Sequence, residues 1–281
     1  MRLLAAILLL ASSARSQTAA ADPALLQLAP PDAVFVAGFH AEKLKSSSVV
    51  QRLLTRARSG TEDFGKLVAA AGFDPERDVR EVLIASGPID ANALIAVRGT
   101  FDPSKFSPLP KGKAVLLDPT TLLVGDEKAL QAAMGRRQSE ARLAPEFIAR
   151  VESYSSRYDA WLLTTDSPTR MLAGQMQNQT LDAAVKGDLF QAIRHVSAGL
   201  RAGDSLELEG EMLTRSPKDA IALADVARFL TQLLMDSAAS RGVSEAPKFE
   251  PDGASLRFAV KLPAPLLLKI FDTAAPRKKT P

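Results

Sequence analysis

Cysteine is absent from all 281 residues. That excludes a disulfide framework, a thiol nucleophile, a cysteine-bound zinc site and a lipid anchor on cysteine. Aromatic residues make up only 5%, with one Trp and two Tyr. Stacking platforms of the kind found in glycan clefts and nucleic-acid grooves are therefore scarce. Histidine occurs twice, at His40 and His195, so a serine-hydrolase triad would have to use one of them as its base. The common catalytic signatures are missing: no G-x-S-x-G turn, no P-loop, no G-x-G-x-x-G and no H-E-x-x-H. A basic excess is lacking as well. Without Arg2 and Arg15 the 35 basic residues fall to 33 against 32 acidic ones, and leaving out Arg277, Lys278 and Lys279 too brings the body to −2. No nucleic-acid partner is expected from that balance.

The opening "MRLLAAILLLASSARSQ" has the anatomy of a secretory signal peptide. Arg2 precedes an apolar run from Leu3 to Ala11, and Ala14-Arg15-Ser16 fits the small-x-small rule, which places cleavage near Ser16–Gln17. The run is shorter than the ~20 residues a membrane-spanning helix needs, and no later stretch is long and apolar enough. A soluble exported protein is the expectation, secreted or periplasmic.

Beyond the leader the chain reads as two copies of one pattern. "VREVLIASGPIDANALIAVRGTFDPSK" from Val79 aligns without a gap on "IRHVSAGLRAGDSLELEGEMLTRSPKD" from Ile193, an offset of 114. Upstream, "DAVFVAGFHAEKL" from Asp32 pairs with "DAWLLTTDSPTRM" from Asp159, an offset of 127. Downstream, strand–turn–strand units follow, with Asp118-Pro119 and Asp252-Gly253 at the turns. Each half predicts β-α-β-β-α-β-β-α, which is an α+β class with mainly antiparallel sheets and helices packed on one face. The boundaries follow: signal peptide 1–16, N-terminal linker 17–30, first repeat 31–136, linker and helix 137–156, second repeat 157–273, and a basic tail 274–281. In the long helix "SPKDAIALADVARFLTQLLMD", Ile221, Val226, Phe229, Leu230 and Leu233 form the predicted packing stripe.

The two sheets differ. In "LELEGEM", Leu206, Leu208 and Met212 alternate with Glu207, Glu209 and Glu211, a half-buried strand with an acidic outer face. Its neighbour "SLRFAVKL" offers Arg257 and Lys261 for cross-strand pairing. With the offset of 114, Ile95 and Val97 stand in the first half where Glu209 and Glu211 stand in the second. The outer face of the first sheet therefore needs a cover: the other half, a twin subunit, a protein partner or an apolar ligand.

Candidate sites resolve into structure. Asp74, Glu76 and Asp78 have calcium-loop spacing, but Val79 and Ala85 occupy the Gly and Glu positions. Asp74-Pro75, Asp102-Pro103 and Ser216-Pro217 instead read as helix caps. His40 falls on Ser167 by the offset of 127 and so lies where a strand gives way to a helix. His195 starts a strand and aligns with Glu81, and Arg98 in the apolar "ALIAVRG" is the side chain expected to have unusual surroundings. Trp161, Tyr154 and Tyr158 are expected to pack, and "NQT" at Asn178 matches a glycosylation acceptor. No catalytic residue, metal ligand or cofactor is predicted.

The strand openings "APPDAVFVAG" and "YDAWLLTTDSP" resemble those of a broad group of exported bacterial proteins with duplicated α+β halves. The resemblance implies fold and export and carries no catalytic motif. Together these features predict a non-catalytic binding or scaffolding protein of the bacterial cell envelope. The alternatives are an envelope hydrolase using carboxylates and a carrier of an apolar ligand.

Overall fold

A computed structural model describes residues 20–52, 73–88, 93–104, 114–167, 187–235 and 246–267. The expected leader, a helix predicted from "EDFGKLVAAAG" at 62–72, Asn178 and the basic tail lie outside the described residues. Apolar strands and short helices, several of them Asp- or Ser-capped, build the elements. In chain order these are α1 (Pro23–Leu26), β1 (Phe35–His40), α2 (Ala41–Ser46), α3 (Pro75–Asp78), β2 (Val79–Ser86), β3 (Leu94–Gly99), β4 (Ala114–Asp118) and β5 (Thr121–Val124). There follow α4 (Glu127–Arg136), α5 (Pro145–Ser155), β6 (Ala160–Thr164), α6 (Asp188–Gln191), β7 (Ile193–Ala202), β8 (Ser205–Thr214), α7 (Pro217–Met235), β9 (Lys248–Asp252) and β10 (Ser255–Pro263). Helix starts follow the predicted chemistry. Asp74 Oδ1 accepts from Glu76 N at 2.9 Å, Asp126 Oδ1 from Ala129 N at 2.7 Å and Ser216 Oγ from Asp219 N at 3.2 Å.

The α+β reading holds, and all strand pairs are antiparallel. The halves do not form separate sheets. They join into one ten-stranded sheet in the order β4-β5-β3-β2-β1-β6-β7-β8-β10-β9, because β1 and β6 pair directly across the middle.

The two halves are related about the Ala37–Leu162 pair at the centre of that seam. Main-chain hydrogen bonds repeat across it. Val34 N donates to Ser86 O at 2.9 Å, and Asp159 N to Leu200 O at 2.8 Å; Thr165 N donates to Val34 O at 2.9 Å, and His40 N to Asp159 O at 2.8 Å. Val34 thus corresponds to Asp159 and His40 to Thr165, an offset of 125 in place of 127. Between β2 and β7 the offset of 114 stands, and both strands carry an irregularity at the same place, Val79/Glu81 and Ile193/His195. One strand on, between β3 and β8, it becomes 115: Val82 faces Val97, whereas Val196 faces Met212. The counterparts of Glu209 and Glu211 are therefore Leu94 and Ala96, not Ile95 and Val97. A shift of one residue changes which face a strand residue occupies.

Helices cover both faces, not one. The near face carries the large core in which Leu83, Leu94, Ala96 and Leu123 from the strands meet Leu130 of α4 and Phe147 and Val151 of α5. Leu163 pairs with Ser197, so Val196 points to the opposite, far face. There Val196 and Met212 pack with Leu223 and Ala224 of α7. Val82, Val97 and Leu122 occupy the far face of the first half.

The stretch expected to be an N-terminal linker is core. Ala21, Leu25, Leu26, Leu28 and Ala29 are all buried against the near face. We call residues 21–29 the strap. The predicted stripe of α7 is also reversed. Ala220, Leu223 and Ala224 face the sheet, while Ile221, Phe229 and Leu230 are 51%, 66% and 47% exposed. Small alanines let the helix sit close on the strands, which sets its rotation. The side chain of Leu233 lies outside the described residues.

Candidate functional site

Four places in the fold bring chemistry-bearing side chains together. The first is a polar row on the near face, at the ends of β1, β2, β3 and β5. Ladder register lines up His40, Glu81, Arg98 and Thr121. Arg98 Nε reaches Asp22 Oδ2 of the strap at 2.7 Å, and its Nη1 donates to the Thr121 and Thr120 hydroxyls. The Asp22 backbone N–H donates to Glu81 Oε1 at 3.1 Å. Burial pushes the Glu81 carboxyl above its usual range, reinforced by the Asp22 charge and opposed by the Asp22 N–H and by Arg98. Burial also pushes Asp118 upward, but hydrogen bonds from Thr120 and Thr121 outweigh it and hold that carboxyl low. Arg98 is paired, and its contacts with Asp22 pin the strap. His40 is buried at the boundary of β1 and α2, the predicted place, with φ −93° and ψ 102°. Its side chain makes no capping hydrogen bond to the helix.

The second place surrounds His195. Burial holds its imidazole below the ordinary histidine range, helped by the Arg150 and Arg194 charges and opposed by Asp166. Ser197, two residues along the same face, accepts a hydrogen bond from Arg150 Nη2. Its oxygen is thus engaged by a guanidinium rather than poised by a base.

The third is the charged ladder of the second half's near face. Glu209 accepts from Tyr158 Oη at 2.9 Å and pairs with Arg201 at 3.0 Å, and Lys261 pairs with Glu207 at 2.9 Å. Arg257 lies opposite Glu211 but takes Asp252 as its ion-pair partner at 2.9 Å. The Arg201 guanidinium stacks 4.5 Å from the Tyr158 ring centre. Burial, then the hydrogen bond to Glu209, push the Tyr158 phenol up to about 12. Beside this ladder lies a trough of about 180 Å³ edged by Glu207, Lys248 and Lys261, smaller than a typical small-molecule pocket of ~300–1,000 Å³. Among the described residues, no three His, Asp or Glu side chains gather as a metal site.

The fourth is the outward side of α7. Phe229 and Leu230 stand exposed a little over two turns beyond Ile221, with half-buried Val226 between them in sequence. Sequence periodicity found these residues and assigned them to the wrong side. The Ala220, Ala224 and Ala227 spacing was the signal that could have located the packed one.

The fold and these sites define an α+β protein built around one antiparallel sheet with internal two-fold order. No protein-family model matches the chain, and no curated protein matches it. Solved structures of TP0453 do share the fold. Crystal form III superposes with a TM-score of 0.53 at 12% identity, covering 88% of this chain and 97% of that one. Crystal form I gives 0.49 at 11% identity, over 91% and 98%. At such identity the likeness concerns the fold. Among the described residues no helix is long and apolar enough to cross a membrane.

Proposed function

We propose that this is a non-catalytic binding or scaffolding protein of the bacterial cell envelope, exported after cleavage near Ser16–Gln17. It holds a protein partner on the far face of its sheet. The observation that carries this reading is the exposure of three large apolar side chains on α7, Ile221, Phe229 and Leu230 at 51%, 66% and 47%, on a helix whose Leu223 and Ala224 already pack on the sheet. Large apolar side chains left in water on an already packed helix are satisfied when a partner covers them. The sheet's near face in the first half is covered by the chain's own strap, α4 and α5, so the partner surface moves from the first-repeat sheet to α7. The signal-peptide pattern supports export.

A photo-crosslinking residue in place of Phe229, activated in cells exporting the protein, tests the proposal. A discrete adduct heavier than the monomer is expected, lost when I221D and L230D are added. No adduct at this position, with the protein folded and exported, overturns the reading.

A further inference from the structure

The strap is bound like a ligand that happens to be attached. It fills a near-face groove, sharing one core with Leu130 of α4 and Phe147 and Val151 of α5 and bonded to both helices. Polar pins hold it along its length. The Ala21 N–H donates to the buried Ser155 Oγ at 2.9 Å, Asp22 meets Arg98 at 2.7 Å, and Arg136 Nε donates to Leu28 O at 2.8 Å. It joins the sheet through a single turn, Pro30-Pro31-Asp32-Ala33, closed by the Ala33 N–H to Pro30 O at 3.0 Å. Pro31 confines Pro30 to extended backbone, and both rings fix φ, so opening the turn gives a stiff extended hinge with little conformational loss. A segment with a complete set of contacts and a hinge biased toward extension is what low-cost exchange between identical chains requires.

We infer that the groove accepts the strap of a second copy, so that two chains exchange residues 21–29 and each completes the other's near face. Every contact of the closed chain is kept in the exchanged pair, and only the hinge changes. Exchange therefore competes with intramolecular docking by mass action, and the pair forms at high protein concentration. The surface used is on the near face, so the inference stands or falls separately from the proposal for α7.

A charge swap tests it. In a D22R chain the strap repels its own body at Arg98, and in an R98D chain the body repels its own Asp22. When the two are mixed, each strap finds a complementary charge only on the other chain. Both variants alone are expected to run as monomers by light scattering, and their equimolar mixture as a 1:1 dimer. A mixture of folded variants that stays at monomer mass overturns the inference. Should either variant fail to fold by circular dichroism, A21C/S155C in the otherwise cysteine-free chain gives the answer. After incubation in mild denaturant and return to buffer, oxidation is expected to give interchain disulfide dimers whose share rises with protein concentration. Intrachain bonds alone at every concentration overturn it.

Discussion

The near face of the sheet is built twice, with opposite chemistry. In the first half a row across three strands reads Leu83, Ala96, Leu123; at the corresponding ladder positions of the second it reads Ser197, Glu211, Arg257. The far-face rows, by contrast, match: Val82, Val97, Leu122 against Val196, Met212, Leu256. One backbone pattern thus tolerates two solutions on one face. The apolar row is sealed under the strap, α4 and α5, leaving Leu83, Ala96 and Leu123 at 1%, 1% and 0% exposure. In the polar row Ser197 is buried and bonded by Arg150 of α5, while Glu211 and Arg257 keep solvent, Arg257 pairing with Asp252 within the sheet. The energetic consequence is lopsided. Burying a leucine stabilises by about 1.5–3 kcal/mol, whereas an exposed cross-strand ion pair contributes about 0–1 kcal/mol. Stability should therefore be concentrated in the first half.

The largest expected effect follows. Leu123→Ala removes a fully buried side chain from the centre of the sealed row and should cost about 3–4 kcal/mol, the transfer loss plus a cavity. Urea unfolding would show it as a lower midpoint at unchanged slope. A loss below about 1 kcal/mol would mean the strap and helices do not seal that face.

Next come the glycines of the seam. Trp161 lies flat against Gly38, where a β-carbon would come 2.6 Å from its ring, and Tyr158 lies against Gly199 in the same manner on the second half. In both cases the ring fills the space a side chain would take. Gly199→Ala should cost about 2–3 kcal/mol, since the clash is with the body of a buried ring. Gly38→Ala should behave alike if the seam belongs equally to both halves. Near-ultraviolet circular dichroism, which reports the packing of Trp161 and Tyr158, would read the displacement alongside the melting temperature.

Much of this was legible in the residues. The alternating runs "LELEGEM" and "SLRFAVKL" fall inside β8 and β10, and Asp74-Pro75 and Ser216-Pro217 open helices because a short polar side chain before proline has few other uses. The duplication was legible from its pattern of turns. Register was not, because a single extra residue in the β7–β8 hairpin leaves sequence similarity almost unchanged while moving every β8 residue to the other face. That is why Ile95 and Val97 stood in for Leu94 and Ala96. The strap was missed because "ADPALLQLAP" has the composition of a linker, and its burial depends on a groove made by helices more than a hundred positions away. The rotation of α7 does not follow from its large apolar residues, because the small Ala220 and Ala224 set the side that packs. Of the candidate site, the side chains Phe229 and Leu230 were visible in the sequence; that they point outward was a tertiary fact.

Tyr158 joins the two chemistries, an aromatic ring buried on the seam with its hydroxyl in the charged ladder. Tyr158→Phe keeps the ring and deletes the bond to Glu209, and should cost about 1 kcal/mol. The phenol is raised to about 12 in the folded chain, above the ~10 of an unfolded tyrosine. Its contribution is therefore fully present below pH ~10 and is lost as pH rises through about 12. The wild-type protein should lose stability over that alkaline window, and the variant should lose less. Phenolate absorbance followed with pH would show the late titration disappear in the variant.

The smallest effect is the sharpest test, because it concerns the counterpart of Leu123. Arg257 occupies the same ladder position in the second half and pairs with Asp252 at 2.9 Å, their side chains 61% and 67% exposed. Both groups keep most of their water, so the attraction is weak and the rotamer cost of holding them together cancels much of it. Arg257→Ala should shift stability by less than about 0.5 kcal/mol, and salt near ~1 M, with a screening length of about 3 Å, should erase even that. Equal losses at Leu123 and Arg257 would show that the charged face carries as much stability as the sealed one. The contrast between the halves would then be one of composition alone. A difference of several kcal/mol between two positions on equivalent strands would show instead that covering the near face, and not pairing the strands, is what distinguishes them.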